Sequence, residues 1–467
     1  MDFSREFGLS AQVIEKDYTL GWLLAGISEH PEIGQSWVFK GGTCLKKCYF
    51  ETYRFSEDLD FTLTNPDHLT NEFLKKTFSE IADWIYDQIG IEIPLDTIVF
   101  DIYQNPRGNI SAQGKVGYRG PMQRRGDAPR IKLDLTDDEI LVLDPVMREV
   151  HHPYSDRPED GINVLSYGFE EVFAEKIRAL AERERPRDLY DVVHLYRREG
   201  LNPDRVLILR TLEEKCQYKG IDVPTMEILT NQPEREDLEA DWEQMLAHQL
   251  PMLPPFQQFW NELSDVFEWL HETKEKEVYE SVPAYGASAI DESWSPPPMA
   301  QAWHAEAPLE IIRFAAANRL CVDLEYKHEH RLIEPYSLRR TRDGNILLHA
   351  VRHEDGQPRS YRVDRIQGAT ASNVSFSPRY TIELTASGSI HAPNIKRASS
   401  GQVGSFGGNR FGRTRARNFS GPTYVVECPY CGRDFKRKNN NTDIKAHNDK
   451  DGYPCSGRHG YLVDTIY

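Results

Sequence analysis

Gly41-Gly42-Thr43 followed closely by Asp58-Leu59-Asp60 constrains this chain more than any other stretch. The two acids sit in an apolar frame of Phe55, Leu59 and Phe61, an alternation that predicts a strand. On a strand, residues two apart point to one face and lie roughly 7 Å apart at the backbone. Two carboxylates held this way repel each other unless a cation lies between them. Mg2+ (or Mn2+) suits such a pair, because Mg2+ takes one or two protein carboxylates and completes its shell with substrate phosphates. Gly41 and Gly42 allow the backbone to approach a phosphate closely, and Thr43 adds a hydroxyl to the same turn. An isolated Asp-x-Asp is ordinarily a solvated surface pattern. The neighbouring glycine turn makes this one a candidate for binding a polyphosphate.

Length and charge narrow the frame. A chain of 467 residues has room for two to four domains, and 39% hydrophobic against 28% charged residues describes a soluble globular protein. The net charge of -17 excludes a surface coated throughout for nucleic acid. The charge is unevenly spread, however: 230–295 is acidic, whereas 396–440 carries a dense set of arginines and lysines, as expected for a basic module on an acidic body. No long apolar run is present and the first residues are too polar for a signal peptide, which predicts a cytoplasmic protein with no membrane partner. Seven cysteines, three of them clustered near the C-terminus, indicate a reducing compartment and a local metal site, not a disulfide framework.

Periodicity predicts a helix over 11–27 capped by Ser10, strands at 37–40 and 55–63, a helix near 70–89, strands at 92–103 and 131–135, and a helix over 169–195 broken at Pro186. Helical, acidic sequence continues to about 273. The segment 274–307, rich in Ser, Pro, Gly and Glu, reads as a linker. A β-rich domain over 308–388 opens with a short helix and carries hairpin turns at Asp343-Gly344 and Asp355-Gly356. A flexible Gly/Ser/Arg-rich linker (389–422) and a Cys/His module (423–467) complete the chain.

More pieces of a nucleotide site lie in 1–273. The alternation of Arg130 to Thr136 makes Asp134 a third carboxylate beside the pair. Lys176 on a charged helix can reach a triphosphate as a point charge, and Arg187 can hold Asp188 or a phosphate. The bland account of that helix is a solvated face with i, i+4 pairs. Glu15-Lys16-Asp17-Tyr18, Phe39-Lys40-Gly41-Gly42-Thr43, Arg54 to Phe61, Ala174 to Leu180 and Pro186 to Asp191 together resemble, in order and spacing, the AbiEii/AbiGii nucleotidyltransferase toxins over residues 10–270. The resemblance implies an α/β, polymerase-β-like nucleotidyltransferase core with a helical C-terminal part. It implies Asp58 and Asp60 as metal ligands, Gly42 and Thr43 as phosphate contacts, Lys176 as a nucleotide contact, and Asp188 or Asp191 as the acid of the last motif. Gly41 and Ser56 complete the nucleotide-binding set.

The β-rich domain resembles a WYL domain, which implies an Sm-like β-barrel that senses nucleic acid or nucleotides; Ile346-Leu347-Leu348 replaces the tripeptide that names the family. Arg352, Arg359, Arg362 and Arg365 are its candidate phosphate-binding residues, since guanidinium groups meet phosphate bidentately. The bland account is a small β domain with a solvated basic edge. In the tail, Cys428, Cys431, His447 and Cys455 form a structural Zn2+ pattern, with His459 as a spare donor, so that a zinc knuckle is expected. Lys436 and Arg437, beside Tyr430 and Phe435, form the best nucleic-acid surface in the chain.

These expectations combine into a Mg2+-dependent enzyme that transfers a nucleoside monophosphate from an NTP to a nucleic-acid acceptor such as the 3′ end of tRNA. The resemblance also implies a separately encoded antitoxin and a role in phage defence or growth arrest. The same core can instead modify a protein hydroxyl. A different class, a non-catalytic WYL/zinc nucleic-acid-binding regulator with a nucleotide-sensing first domain, fits the same motifs without transfer.

Overall fold

The computed structural model describes residues 11–50, 54, 56–104, 108–123, 126, 128–197, 203–232, 235–272, 274–284, 289–294 and 309–385, and within the C-terminal module 423–428, 434–437, 447–448, 454–455 and 461–466. Two compact units divide the chain at Gly401/Gln402, inside the stretch expected to be a flexible linker.

The first unit is built on a mixed seven-stranded sheet with the order β3-β4-β5-β2-β1-β7-β6. Helix α1 (Ala11–Glu29) precedes β1 (Trp37–Lys40), which leads directly into α2 (Gly41–Cys44) and a π-helical turn (Leu45–Tyr49). The chain then runs through β2 (Asp58–Leu63), α3 (Asn71–Ile89), β3 (Val99–Gln104), β4 (Ile110–Gly117), β5 (Arg130–Thr136), β6 (Val146–Glu149) and β7 (Asn163–Ser166). Strand β2 pairs antiparallel with β1 and parallel with β5. Only one sheet face is apolar in β2 and β5: Leu59, Phe61, Leu133 and Leu135 are buried there. Helix α3 packs against this face, with Phe78 against Phe100 at 5.1 Å and against Trp37 at 6.1 Å between ring centroids. Thr70 accepts a hydrogen bond from Phe73 N at its start, and Gly90, at φ 74°, ends it in the left-handed region.

The sheet is followed by α4 (Phe169–Arg183) and α5 (Pro186–Arg197), divided at the expected proline, which sits at the first position of α5 where its missing N–H costs nothing. Helices α6 (Arg205–Lys219), α7 (Met226–Asn231), α8 (Arg235–Ala240), α9 (Trp242–Leu246) and α10 (Phe256–Leu270) complete the helical part. Tyr190 of α5 stacks on Phe259 of α10 at 5.2 Å.

Helix α11 (Leu309–Ala317) introduces a second, antiparallel sheet of β8 (Leu320–Tyr326), β9 (Glu329–Arg340), β10 (Ile346–Arg352), β11 (Pro358–Arg362) and β12 (Ile366–Ser375), in the order β11-β10-β9-β8-β12. The expected Sm-like barrel is therefore an open five-stranded sheet: β11 and β12, joined by a 3-10 turn (Val363–Arg365), occupy opposite edges and do not pair with each other among the described residues. The sheet is tied to the helical part by Tyr190 Oη donating to Asn318 Oδ1 (2.9 Å), Arg197 donating to Ala317 O (3.0 Å) and the Arg319–Glu262 pair (2.8 Å). The stretch 274–307, read as a linker, lies in its described part against this sheet. Val282 is buried beside Tyr336 and Phe376, Ile290 bridges Thr341, and Asp291 pairs with Arg340 at 2.6 Å. Sparse apolar residues conceal this docking because backbone pairing and single anchors supply it.

The second unit holds a three-stranded sheet, β14-β13-β17, of β13 (Thr423–Glu427), β14 (Asp434–Arg437) and β17 (Tyr461–Ile466), and a two-stranded ribbon of β15 (His447–Asn448) and β16 (Pro454–Cys455). No helix among the described residues is long and apolar enough to cross a membrane.

Candidate active site

Alternation on β2 turns Asp58 and Asp60 to the face opposite Leu59 and Phe61, and sheet register brings neighbours to the same face. Asp60 pairs with Asp134 across β5 and with Lys40 across β1, while Asp58 pairs with Lys132. Three carboxylates thus share one sheet face, Asp134 exposed on it and Asp58 and Asp60 half-buried. Burial pushes the Asp60 carboxyl up to about 6, with the Asp134 charge adding to the effect and Lys40 and Lys176 opposing it. Asp134 is also held above the usual carboxylate range, by burial and then by Asp58. Raised acids beside one another mark a site that lacks a positive charge.

The glycines enter differently from the expected turn. Gly41 and Gly42 start a helix, with Lys40 in extended conformation at its N-cap. Gly41 has φ +78°, and a Cβ built there would lie 2.0 Å from Asp60 Oδ2; at Gly42 it would lie 2.5 Å from an Arg54 Nη atom and 3.1 Å from Ser56 Oγ. Any side chain at either position would displace the acid or the arginine. Thr43, expected to offer its hydroxyl to a phosphate, is fully buried and donates it to Asp58 O at 2.5 Å, latching the helix to β2.

Lys176 of α4 is buried beside these acids, with its ammonium 2.7 Å from Asp191 and 3.3 Å from Asp188. Burial alone would lower its pKa, but the Asp191 and Asp188 charges outweigh this and hold it above the ordinary lysine value. Asp191 also takes a two-pronged bond from Arg54 (2.7 and 2.8 Å), and Asp188 one from Arg183 (2.7 and 2.9 Å). Both acids sit below the usual carboxylate range despite burial, Asp191 through Arg54 and Lys176, and Asp188 through Lys176 and Arg183. They are the anchors of Lys176 and Arg54, locked by cations and set apart from the open acids. Glu175 is likewise drawn down to about 2 against its burial, chiefly by Lys40 and then Lys215. Arg187 lies within the field of Asp58, and its buried Nε has no hydrogen-bond partner among the described residues.

Lys40, Arg54 and Glu175 lie inside the matched motifs, yet sequence reasoning assigned none of them a role: Lys40 precedes the glycines and Glu175 precedes Lys176. No three His, Cys, Asp or Glu side chains among the described residues form a ready metal cage. The donor set still fits a Mg2+ ion shared with a substrate, because that ion needs only one or two protein carboxylates, and Asp58 and Asp60 lie two apart on one face of β2.

The arginines proposed for the second sheet do not gather on one surface. Register puts Arg359 opposite Ala350 and Arg362 opposite Leu347, three positions apart and so on opposite faces of β11. Arg352 pairs with Asp355 (Nε to Oδ1, 3.0 Å) and Arg362 with Asp364 at 2.6 Å, while Arg365 lies in the turn after β11. In the second unit, the Cys428 and Cys455 sulfurs lie 3.7 Å apart and are buried, and the backbone register pairs His447 with Cys455. Cys431, His459 and the side chains of His447, Lys436 and Arg437 fall outside the described residues.

Acids on one face of a mixed sheet, beside a glycine-started helix and an anchored lysine, form the candidate site. A sequence profile of the family described as "Nucleotidyl transferase AbiEii toxin, Type IV TA system" matches residues 22–269, over half of the chain, and the chain belongs to that family of nucleotidyltransferase toxins. The WYL domain family matches residues 308–371. Among solved structures the chain is similar to MenT4, a nucleotidyltransferase toxin from Mycobacterium tuberculosis H37Rv, with 17% identity and a TM-score of 0.40 over 58% of this chain and 89% of that one. No curated protein matches the sequence.

Proposed function

We propose that this nucleotidyltransferase uses Mg2+ to transfer a nucleoside monophosphate from an NTP to a hydroxyl of a nucleic-acid acceptor such as the 3′ end of tRNA. The observation that carries this reading is the Asp58, Asp60 and Asp134 set on one sheet face, where Asp60 is raised by burial and Asp134, and Asp134 by burial and Asp58. Asp58 and Asp60 would hold the ion, which when bound supplies positive charge for the triphosphate and the departing pyrophosphate. Gly41 and Gly42, against which Asp60 and Arg54 pack, would offer backbone N–H groups to a phosphate at the helix start, with Ser56 close to Gly42. Lys176, held by Asp188 and Asp191, presents its charge to the triphosphate. The acceptor oxygen bonds to the α-phosphorus, the α–β bridging P–O bond breaks, and pyrophosphate departs with its electron pair. The acceptor proton passes to Asp134, whose raised pKa suits it to a base, and thence to water.

We also propose that Cys428, Cys431, His447 and Cys455 bind Zn2+. A tetrahedral site with bonds of about 2.3 Å spaces its sulfurs roughly 3.8 Å apart, and the 3.7 Å between Cys428 and Cys455 supports this. Two further proposals rest on membership of a toxin–antitoxin family: a separately encoded antitoxin as partner, and a role in phage defence or growth arrest.

Incubation with α-labelled NTPs, Mg2+ and total cellular RNA tests transfer. Label entering RNA with the wild-type protein, and lost with Asp58→Asn, is expected. Label entering protein, or no transfer with any NTP, overturns the acceptor or the reaction respectively. Metal analysis of the purified protein is expected to give one zinc per chain, lost in Cys428→Ser.

A further inference from the structure

The face that carries the acids continues past them, uncovered, to the edge of the sheet. Register places Lys132 beside Asp58, Lys115 beside Lys132 and Val99 beside Lys115, in one row across β2, β5, β4 and β3. Arg130 lies two positions before Lys132 on the same face; Tyr103 pairs with Ser111, four positions along from the Val99–Lys115 pair, with exposed Asp101 between them on that face. Strands in a sheet are spaced about 4.8 Å apart, so Lys132 stands roughly 5 Å and Lys115 roughly 10 Å from Asp58 at the backbone. Lys115, Lys132 and Arg130 are all exposed, and no ion pair among the described residues engages them. Tyr103 is 44% exposed and Val99 42%. An edge strand that leaves an aromatic and a β-branched residue open to water, the latter beside unpaired Lys115, needs an account.

We propose that this face is the platform on which the acceptor lies, and that the acceptor is a single-stranded nucleic-acid end. The inference rests on the nucleic-acid reading of the transfer and specifies where the acceptor binds. Charge selects a polyanion. On a chain of net charge -17, a row of unpaired cations beginning one strand from the reacting acids is a local exception, and it would draw phosphates toward the site. Shape selects a single strand. An open sheet face with an exposed aromatic stacks splayed bases, whereas a duplex keeps its bases paired within the helix. The acceptor's terminal hydroxyl would reach the α-phosphorus between Asp58 and Asp134, its neighbouring phosphates would meet Lys132, Arg130 and Lys115, and an upstream base would stack on Tyr103.

The test uses the full-length protein with Lys115→Gln, Lys132→Gln and Arg130→Gln combined, and separately Tyr103→Ala. The probe is a fluorescein-labelled, short single-stranded oligoribonucleotide titrated over a range of salt; a fluorescent NTP analogue reports whether the nucleotide site is intact. The triple variant is expected to bind the oligonucleotide at least about tenfold more weakly. Its log affinity against log salt should flatten by about 2, near 0.7 for each phosphate left without its cation. NTP-analogue affinity should match wild type, and Tyr103→Ala should weaken oligonucleotide binding without changing the salt slope. Wild-type affinity and slope in the triple variant would overturn the platform while leaving transfer to RNA intact. A wild-type protein that labels protein instead of RNA would overturn both, and the two failures are thereby distinguished.

Discussion

Two groups of aspartates meet at Lys176 and differ in everything but residue type. Asp188 and Asp191 are buried and fully compensated: three cations, Arg54, Lys176 and Arg183, close on two carboxylates at 2.7–3.3 Å. Asp58, Asp60 and Asp134 share one sheet face, Asp134 exposed and Asp58 and Asp60 half-buried, and the lysines near them leave Asp60 raised to about 6. The first group has spent its charge on holding cations in place. The second carries charge that protein cations leave uncompensated, which accords with the proposal that it binds a metal ion and a polyphosphate. Acids of one motif set can therefore be divided into scaffold and site by asking which are already paired.

The largest expected effect separates the groups by activity. Asp58→Asn should lower transfer by roughly a thousandfold, since it removes charge that acts where the phosphoryl group reacts. Its thermal midpoint should stay at or above that of wild type because a repulsion is relieved. A label-transfer assay paired with a melting curve measures both, and a fully active Asp58→Asn would move the site elsewhere.

Asp191→Asn should do the reverse in stability. It leaves Arg54 and Lys176 buried without their shared partner, and breaking a buried pair from one side costs about 3–5 kcal/mol. A urea midpoint well below that of Asp58→Asn is the expected reading. Equal midpoints for the two variants would erase the distinction between scaffold and site.

Much of this architecture is legible along the chain wherever one local pattern governs it. The glycine and acid motif, the break at Pro186, the alternation that lines up Asp134, and the hairpin turns at Gly344 (φ +84°) and Gly356 (φ +68°) all rest on neighbours a few residues apart. The anchoring of Lys176 does not. Arg54 and Asp191 lie 137 residues apart in the chain, and nothing local links them. The proposed platform is hidden for another reason, since exposed Lys115 and Lys132 look like any solvated strand until register sets them, with Val99, in line with Asp58. Alternation also misleads for the WYL arginines, where closeness in sequence hides a split between two faces.

Acidity sharpens the comparison next. Asp60 titrates near 6 in the folded protein and at its ordinary value of 3.8 when unfolded. Between those values the folded state holds a proton that the unfolded state releases, so this group's contribution favours folding at low pH and is lost as pH rises through about 6. Glu262, drawn down to about 2 against its burial by Arg197 and Arg319, behaves oppositely: its contribution is present above pH 4.5 and is lost as pH falls toward 2. The Asp60 share appears in the difference between wild type and Asp60→Asn. Wild type should gain thermal stability relative to the variant on going from pH 7 to about 5, and Mg2+ should stabilise wild type at pH 7 but much less below 6. A pH-independent difference would mean that Asp60 is not held in its raised state.

The smallest effect concerns Thr43, which lies where the two accounts of the glycine motif diverge. As a latch, its hydroxyl secures Asp58 through the main-chain carbonyl at 2.5 Å. Thr43→Val keeps the volume and leaves that carbonyl without its donor, a loss of about 1–2 kcal/mol. The KM for NTP should then change by less than about threefold, because the threonine hydroxyl faces protein, and Thr43→Ser should restore stability by returning the donor. The opposite split, full stability with a large rise in KM, would return the hydroxyl to the phosphate and leave the Gly41 helix start held by the glycines alone.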